Sequence, residues 1–142
     1  MELLVTIAVI GVLSSFVIVA STGQIAKARD AQRKSDINQY RIAIENYSVK
    51  QNGIHPIGNT TNIGTNSICT STLKGGGYIA SCLSDPNGTS GYAYQSDANG
   101  IDYILWAKLE RCSSGTTCYW YVCANGNAAE ESTAPLSTDC GF

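Results

Sequence analysis

The sequence predicts an α+β fold: a long N-terminal α-helix, apolar then amphipathic, packed on a small antiparallel β-sheet in a disulfide-stapled head. Three observations point there. Leu3 to Ala20 is an apolar run headed by Glu2 and broken by no other charge. The stretch that follows keeps helical spacing but turns amphipathic. All six cysteines lie after residue 68, in a region rich in Gly, Ser and Thr. The domain boundaries expected are 1–23 for the apolar helix half, 24–52 for the amphipathic half and 53–142 for the head.

The 18 residues of the apolar run would span about 27 Å as a helix, near the lower limit for crossing a bilayer. A signal peptide would need a basic start, and the only early charge is acidic. An ordinary anchor, with Lys27, Arg29, Arg33 and Lys34 after the run and nothing basic before it, would put the C-terminal part in the cytoplasm. The cysteines argue for the other side. A processed segment, whose basic leader once preceded Met1, removes the conflict.

Beyond the run, Ile37, Tyr40, Ile44 and Tyr47 recur at spacings of three and four and form one apolar stripe. Lys27, Arg29, Asp30, Arg33 and Lys34 form a charged stretch before it. Asn52-Gly53 is a C-terminal stop, with Pro56 just beyond. A helix apolar all round in its first half and striped in its second faces two environments.

Residues 54–90 are turn-rich, with a short helix expected near Ser71–Lys74. Strands are expected at Tyr92–Gln95, Ile101–Arg111 and Thr117–Ala124, making a three-stranded antiparallel sheet and a C-terminal tail. Ile101, Tyr103, Leu105, Ala107 and Leu109 alternate with Asp102, Lys108 and Glu110, so that face should pack on the helical stripe. Asp97 to Gly100 and Ser113 to Thr116 supply the turns.

Six cysteines allow 15 pairings. Cys112 and Cys118 flank a tight turn and could bond across a hairpin. Cys118 and Cys123 point to opposite faces of one strand. The remaining four cysteines can pair in three ways; of these, Cys123–Cys140 would pin the tail and Cys69–Cys82 would close the loop region, and each bridge could contribute roughly 2–4 kcal/mol. No C-x-x-C occurs, which speaks against zinc. The framework implies an oxidising compartment.

The chain of 142 residues has a net charge of -2, unevenly placed. Residues 1–52 hold six Lys or Arg and four acids; residues 53–142 hold three and seven. An acidic head does not favour nucleic-acid binding.

The stretch "ELLVTIAVIGVL" resembles the N-terminal signature of type IV pilins and pseudopilins. "KARDAQRKSDINQYRIAIENY" followed by "NGIHP" resembles the second helical half of that family, and "LSDPNGTSGYAYQSD" and "DYILWAKLE" resemble its turn and strands. The resemblance implies a filament subunit with a cleaved leader and a methylated N-terminus. It also implies a leader peptidase, a membrane platform protein and an assembly ATPase as partners. Two departures stand out. Glu2 is second where the family has it fifth, which would put the mature end three residues before Met1. Many pilins carry a Pro where Val19 stands here, so helix melting in a filament would rest on Gly11, Ser14, Ser15 and Gly23.

In the family this Glu meets the N-terminal amine of a neighbouring subunit, which cancels two charges that would otherwise be buried alone. Carried over, the assembly residues are Glu2, Leu3, Leu4, Val5, Ile7, Val9, Ile10, Gly11, Leu13 and Phe16. The expected function is a major pilin: a homo-oligomeric, type IV pilus-like surface filament for adhesion, motility or DNA uptake. It would wait in the cytoplasmic membrane and end as an extracellular filament. The alternatives are a pseudopilin of a secretion or competence machine, and a membrane-anchored, disulfide-rich binding domain that does not polymerise.

Catalysis has little to start from. His55 is the only histidine and precedes Pro56 in a loop. Gly75-Gly76-Gly77 lacks the Lys-Ser/Thr of a phosphate loop. No cofactor is expected. Major pseudopilins carry calcium in C-terminal loops, which makes Asp85, Asn87, Asp97 and Asn99 calcium candidates, though the same residues are strong turn formers. Asn59-Thr60-Thr61 and Asn87-Gly88-Thr89 match the N-glycosylation pattern and should be exposed.

Overall fold

A computed structural model describes residues 2–88, 90–112 and 117–138, without the side chains of residues 2 and 15–22. The fold is α+β. Helix α1 runs Glu2–Lys50. Positions 30, 33, 37, 40 and 44 recur at alternating spacings of three and four, so they share one face, and all five are buried. The helix ends where Asn52 takes a positive φ of 56° and the Gly53 amide reaches back to the Ser48 carbonyl at 2.8 Å. This closure satisfies a terminal carbonyl and turns the chain back towards the sheet.

Five strands follow: β1 Asn59–Thr60, β2 Ala93–Ser96, β3 Tyr103–Leu109, β4 Cys118–Cys123 and β5 Ala128–Glu131. They form one antiparallel meander in chain order. The expected sheet of three strands is therefore corrected to five. The two additions are the edges. β1 is two residues long, and β5, Ala-Ala-Glu-Glu, has no β-branched residue. Backbone pairing with the inner strands makes them strands, and propensity does not announce them.

The strands expected at Tyr92–Gln95, Ile101–Arg111 and Thr117–Ala124 each shift or shorten by one or two residues at their ends, and two boundary changes have a clear local cause. The short helix lies at Ile68–Leu73, a π-type turn in which the Lys74 amide bonds the Cys69 carbonyl at 2.8 Å. Ile101 is left out of β3 and is 62% exposed. Its amide and those of Asn99 and Asp102 bond the Asp97 carboxylate, which ties all three into the β2–β3 turn.

The core lies between α1 and the sheet. Ile37, Tyr40 and Ile44 pack with Tyr103, Leu105, Ala107 and Val122, and Ile63, Ile68 and Leu73 close the side. On the far face of the sheet, Ile104, Tyr121 and Cys123 form a second cluster with Trp106 and Ala129. Among the described residues no helix is long and apolar enough to cross a membrane.

Candidate functional site

Among the described residues, the N-terminal rod exposes a long series of apolar side chains. Leu3, Leu4, Val5, Ile7, Val9, Ile10, Val12 and Leu13 are all at least half exposed, Leu3 by 75%. They are not confined to one stripe, so the rod presents apolar surface in every direction. Its polar side chains are turned inward on the helix. Thr6 Oγ1 donates to the Leu3 carbonyl at 2.8 Å, and Ser14 Oγ donates to the Ile10 carbonyl at 2.7 Å. Hydroxyls bonded in this way cost little against an apolar neighbour. At Gly11 an added Cβ would meet nothing within 4 Å, so the rod is smooth there. Ala8, Val9, Val12 and Leu13 line a shallow groove of about 290 Å³. The side chains of Glu2, Ser15 and Phe16 lie outside the described residues; the backbone there is helical.

At the junction of helix and head sits a buried ionic cluster that sequence reasoning missed. Arg33 is 2% exposed. Its Nε and Nη2 donate to the two oxygens of Asp85 at 2.7 and 3.1 Å, a fork-to-fork pair. Nη1 donates to Asp30 at 2.7 Å, and Nη2 also lies 2.8 Å from Glu110. Glu110 is shared with Arg29, whose Nε donates to it at 2.7 Å. Asp30 binds the sheet as well, since its carboxylate accepts the backbone amides of Glu110 and Arg111, both at 2.9 Å, just past the end of β3. The helix is thus bonded to the sheet through three carboxylates and two guanidiniums.

The electrostatics follow from those contacts. The hydrogen bond to Asp85 is the main reason the Arg33 guanidinium is held more firmly protonated than usual. Burial would raise the Asp85 carboxyl, but Arg33 and the Asn87 amide outweigh it and hold it below the ordinary range. Glu110 is lowered to about 2, first by the Arg29 hydrogen bond and then, against burial, by Arg33. A buried charge paired and hydrogen-bonded on all sides is tolerated where a lone one is not.

Nearby tyrosines extend the polar interior. Tyr92 Oη donates to Asp36 at 2.5 Å, and Tyr103 Oη donates to Glu45 at 2.6 Å. Burial, reinforced by those carboxylates, pushes both phenols up. Tyr40 Oη donates to the Leu83 carbonyl and accepts the Leu83 amide, each at 2.7 Å. Burial, against the Leu83 bond, pushes Tyr40 up to about 12.

The other candidates find ordinary positions. Cys69 is bonded to Cys82 and Cys112 to Cys118. Cys123 is also disulfide-bonded, while Cys140 lies outside the described residues, as does the turn at 113–116. Cys112, Cys118 and Glu130 come within 4.8 Å of one another, but two sulfurs joined to each other offer no thiolate to a metal. Of the calcium candidates, Asp85 is spent on Arg33 and on the Asn87 amide. Asp97 is spent on the amides of its own turn, which outweigh burial and hold its carboxyl low. Asn87 and Asn99 contribute backbone amides to those turns. Gly23 lies under Arg111, whose guanidinium is 3.4 Å from where a Cβ would stand.

His55 is buried rather than loose. Its Nδ1 lies 3.0 Å from the Gly100 carbonyl, and its ring meets Tyr103 edge-on at 4.7 Å. No family model, curated protein or solved structure matches this chain.

Proposed function

We propose that this chain is a structural subunit that polymerises through the first half of α1 into a type IV pilus-like surface filament. The observation that carries the reading is the rod Leu3–Leu13, apolar on every side and exposed along its whole described length. A monomer in water would not keep such a surface. Burying eight half-exposed aliphatic side chains among copies of the same rod is worth on the order of 10 kcal/mol before association costs. The resemblance of residues 2–52 to type IV pilins supports the same reading.

In this account Leu3–Ala20 first waits in the cytoplasmic membrane. It then moves into a filament core with Glu2 neutralised by a neighbour's amine, and the heads form the outer coat. A leader peptidase, a platform protein and an assembly ATPase are the partners the resemblance implies. Gly11, Ser14, Ser15 and Gly23 are the places where the helix would loosen.

The test is Glu2→Ala in the full chain, with electron microscopy of the surface fraction. A filament subunit accumulates unassembled in the membrane, because its neighbour's amine is left without a countercharge, a penalty of about 3–5 kcal/mol. Unchanged fibres, or no fibres from the unsubstituted chain either, overturn the proposal. The second outcome favours a tethered binding domain.

A further inference from the structure

At the foot of the head, where the rod emerges, Lys27, Asp30, Ala31, Lys34, Leu109, Arg111 and Cys112 enclose a recess of about 400 Å³. Its charge is one-sided. The single acid, Asp30, is already saturated by Arg33 and by two backbone amides. Lys34 is occupied: its Nζ lies 3.6 Å from Glu130 and 4.4 Å from the centre of the Trp120 ring. Among the described residues neither Lys27 nor the Arg111 guanidinium has an acidic partner. Both line the recess beside Lys34.

Their height on the helix is informative. The Arg111 guanidinium lies beside Gly23, 3.4 Å from where a Cβ would stand. Gly23 is three residues past the apolar run, about 4.5 Å along the axis. The headgroup layer on each side of a bilayer is roughly 5–7 Å deep. Lys27 stands one turn further on, and helical side chains lean towards the N-terminus, so its ammonium reaches back to the same level.

We propose that this recess holds the phosphate of an anionic glycerophospholipid while the subunit waits in the membrane. Arg111 takes the phosphate oxygens in a fork and Lys27 adds a point charge. The proposal rests on the membrane-held stage of the function proposed above. The bound headgroup sets the depth at which the rod sits, and it is surrendered when the subunit leaves the bilayer.

The full chain is reconstituted into phosphatidylcholine vesicles holding a trace of dansyl-labelled phosphatidylglycerol, or the same trace of dansyl-labelled phosphatidylcholine. Energy transfer from Trp106 and Trp120 reads which lipid gathers at the chain. The anionic lipid should be enriched by about five-fold for each cation engaged. K27Q/R111Q should remove that preference with helix content and thermal midpoint unchanged, and K74Q, on the exposed turn after the π-helix, should retain it. A preference that survives K27Q/R111Q overturns the proposal. So does one abolished by millimolar inorganic phosphate at constant ionic strength, which makes the recess a site for free anions. Release of the chain by an alkaline carbonate wash sinks the membrane-held reading as well, whereas retention without lipid preference sinks only the recess.

Discussion

Replacing Arg33 with Met tests whether the ionic junction holds the head to its helix. Methionine keeps much of the volume and removes every donor. Three carboxylates lose their shared partner, but unequally. Asp30 keeps two backbone amides, Glu110 keeps Arg29, and Asp85 keeps only the Asn87 amide. Asp85 is 7% exposed, so it bears most of the cost. Breaking a buried pair from one side costs about 3–5 kcal/mol. For a head of this size that is a fall of roughly 10–25 °C in Tm.

The assay is thermal and urea unfolding of the detergent-held chain with disulfides intact, read by the fluorescence of Trp106 and Trp120. The pH dependence supplies the signature. Both Asp85 and Glu110 sit below their ordinary values of 3.8 and 4.5 in the folded chain. The stability they lend is complete above those values and drains as pH falls through the folded ones, about 2 for Glu110. The gap between R33M and the unsubstituted chain should therefore narrow from pH 7 to pH 3, and R33M/D85N should recover part of the loss at pH 7. A loss under about 1 kcal/mol at pH 7 would refute the reasoning, as would a gap independent of pH.

Three further variants probe the head. Tyr40→Phe strips both the amide and the carbonyl of Leu83 of their partner and should cost about 1–3 kcal/mol by the same unfolding assay. C69A/C82A opens a bridge across a sequence separation of 13 and should cost about 3 kcal/mol. C112A/C118A, across a separation of 6, should cost less, and the reverse order would show that native contacts rather than chain entropy decide.

Much of this architecture can be read from spacing. Ile37, Tyr40 and Ile44 announce a core stripe because apolar periodicity reports burial directly. The alternation from Tyr103 to Leu109 announces the strand laid against it. Charged burial has no such signal when charge is read as solvent exposure. By composition Asp30 and Arg33 belong with Lys27, Arg29 and Lys34 in one charged stretch. Continuing the stripe backwards from Ile37 by four and then three residues lands on Arg33 and Asp30, so the period itself marks them as inward-facing. Asp85, in Asp-Pro-Asn-Gly, reads as a turn former and is one, since it caps the Asn87 amide. Its pairing with a residue 52 positions away lies beyond local pattern. β1 and β5 are illegible for a related reason: an edge strand is made by the neighbour it pairs with.

The place where Asp30 grasps the two amides beyond β3 also decides how the head would answer a pull along α1. Traction arriving from the rod meets Arg29, Asp30 and Arg33 before it meets Ile37 and the apolar layer behind them. Ionic grips act over a few ångströms and then let go, whereas greasy contacts slide. The chain is thus built with a stiff collar above a yielding shaft, and under strain the collar holds until it snaps.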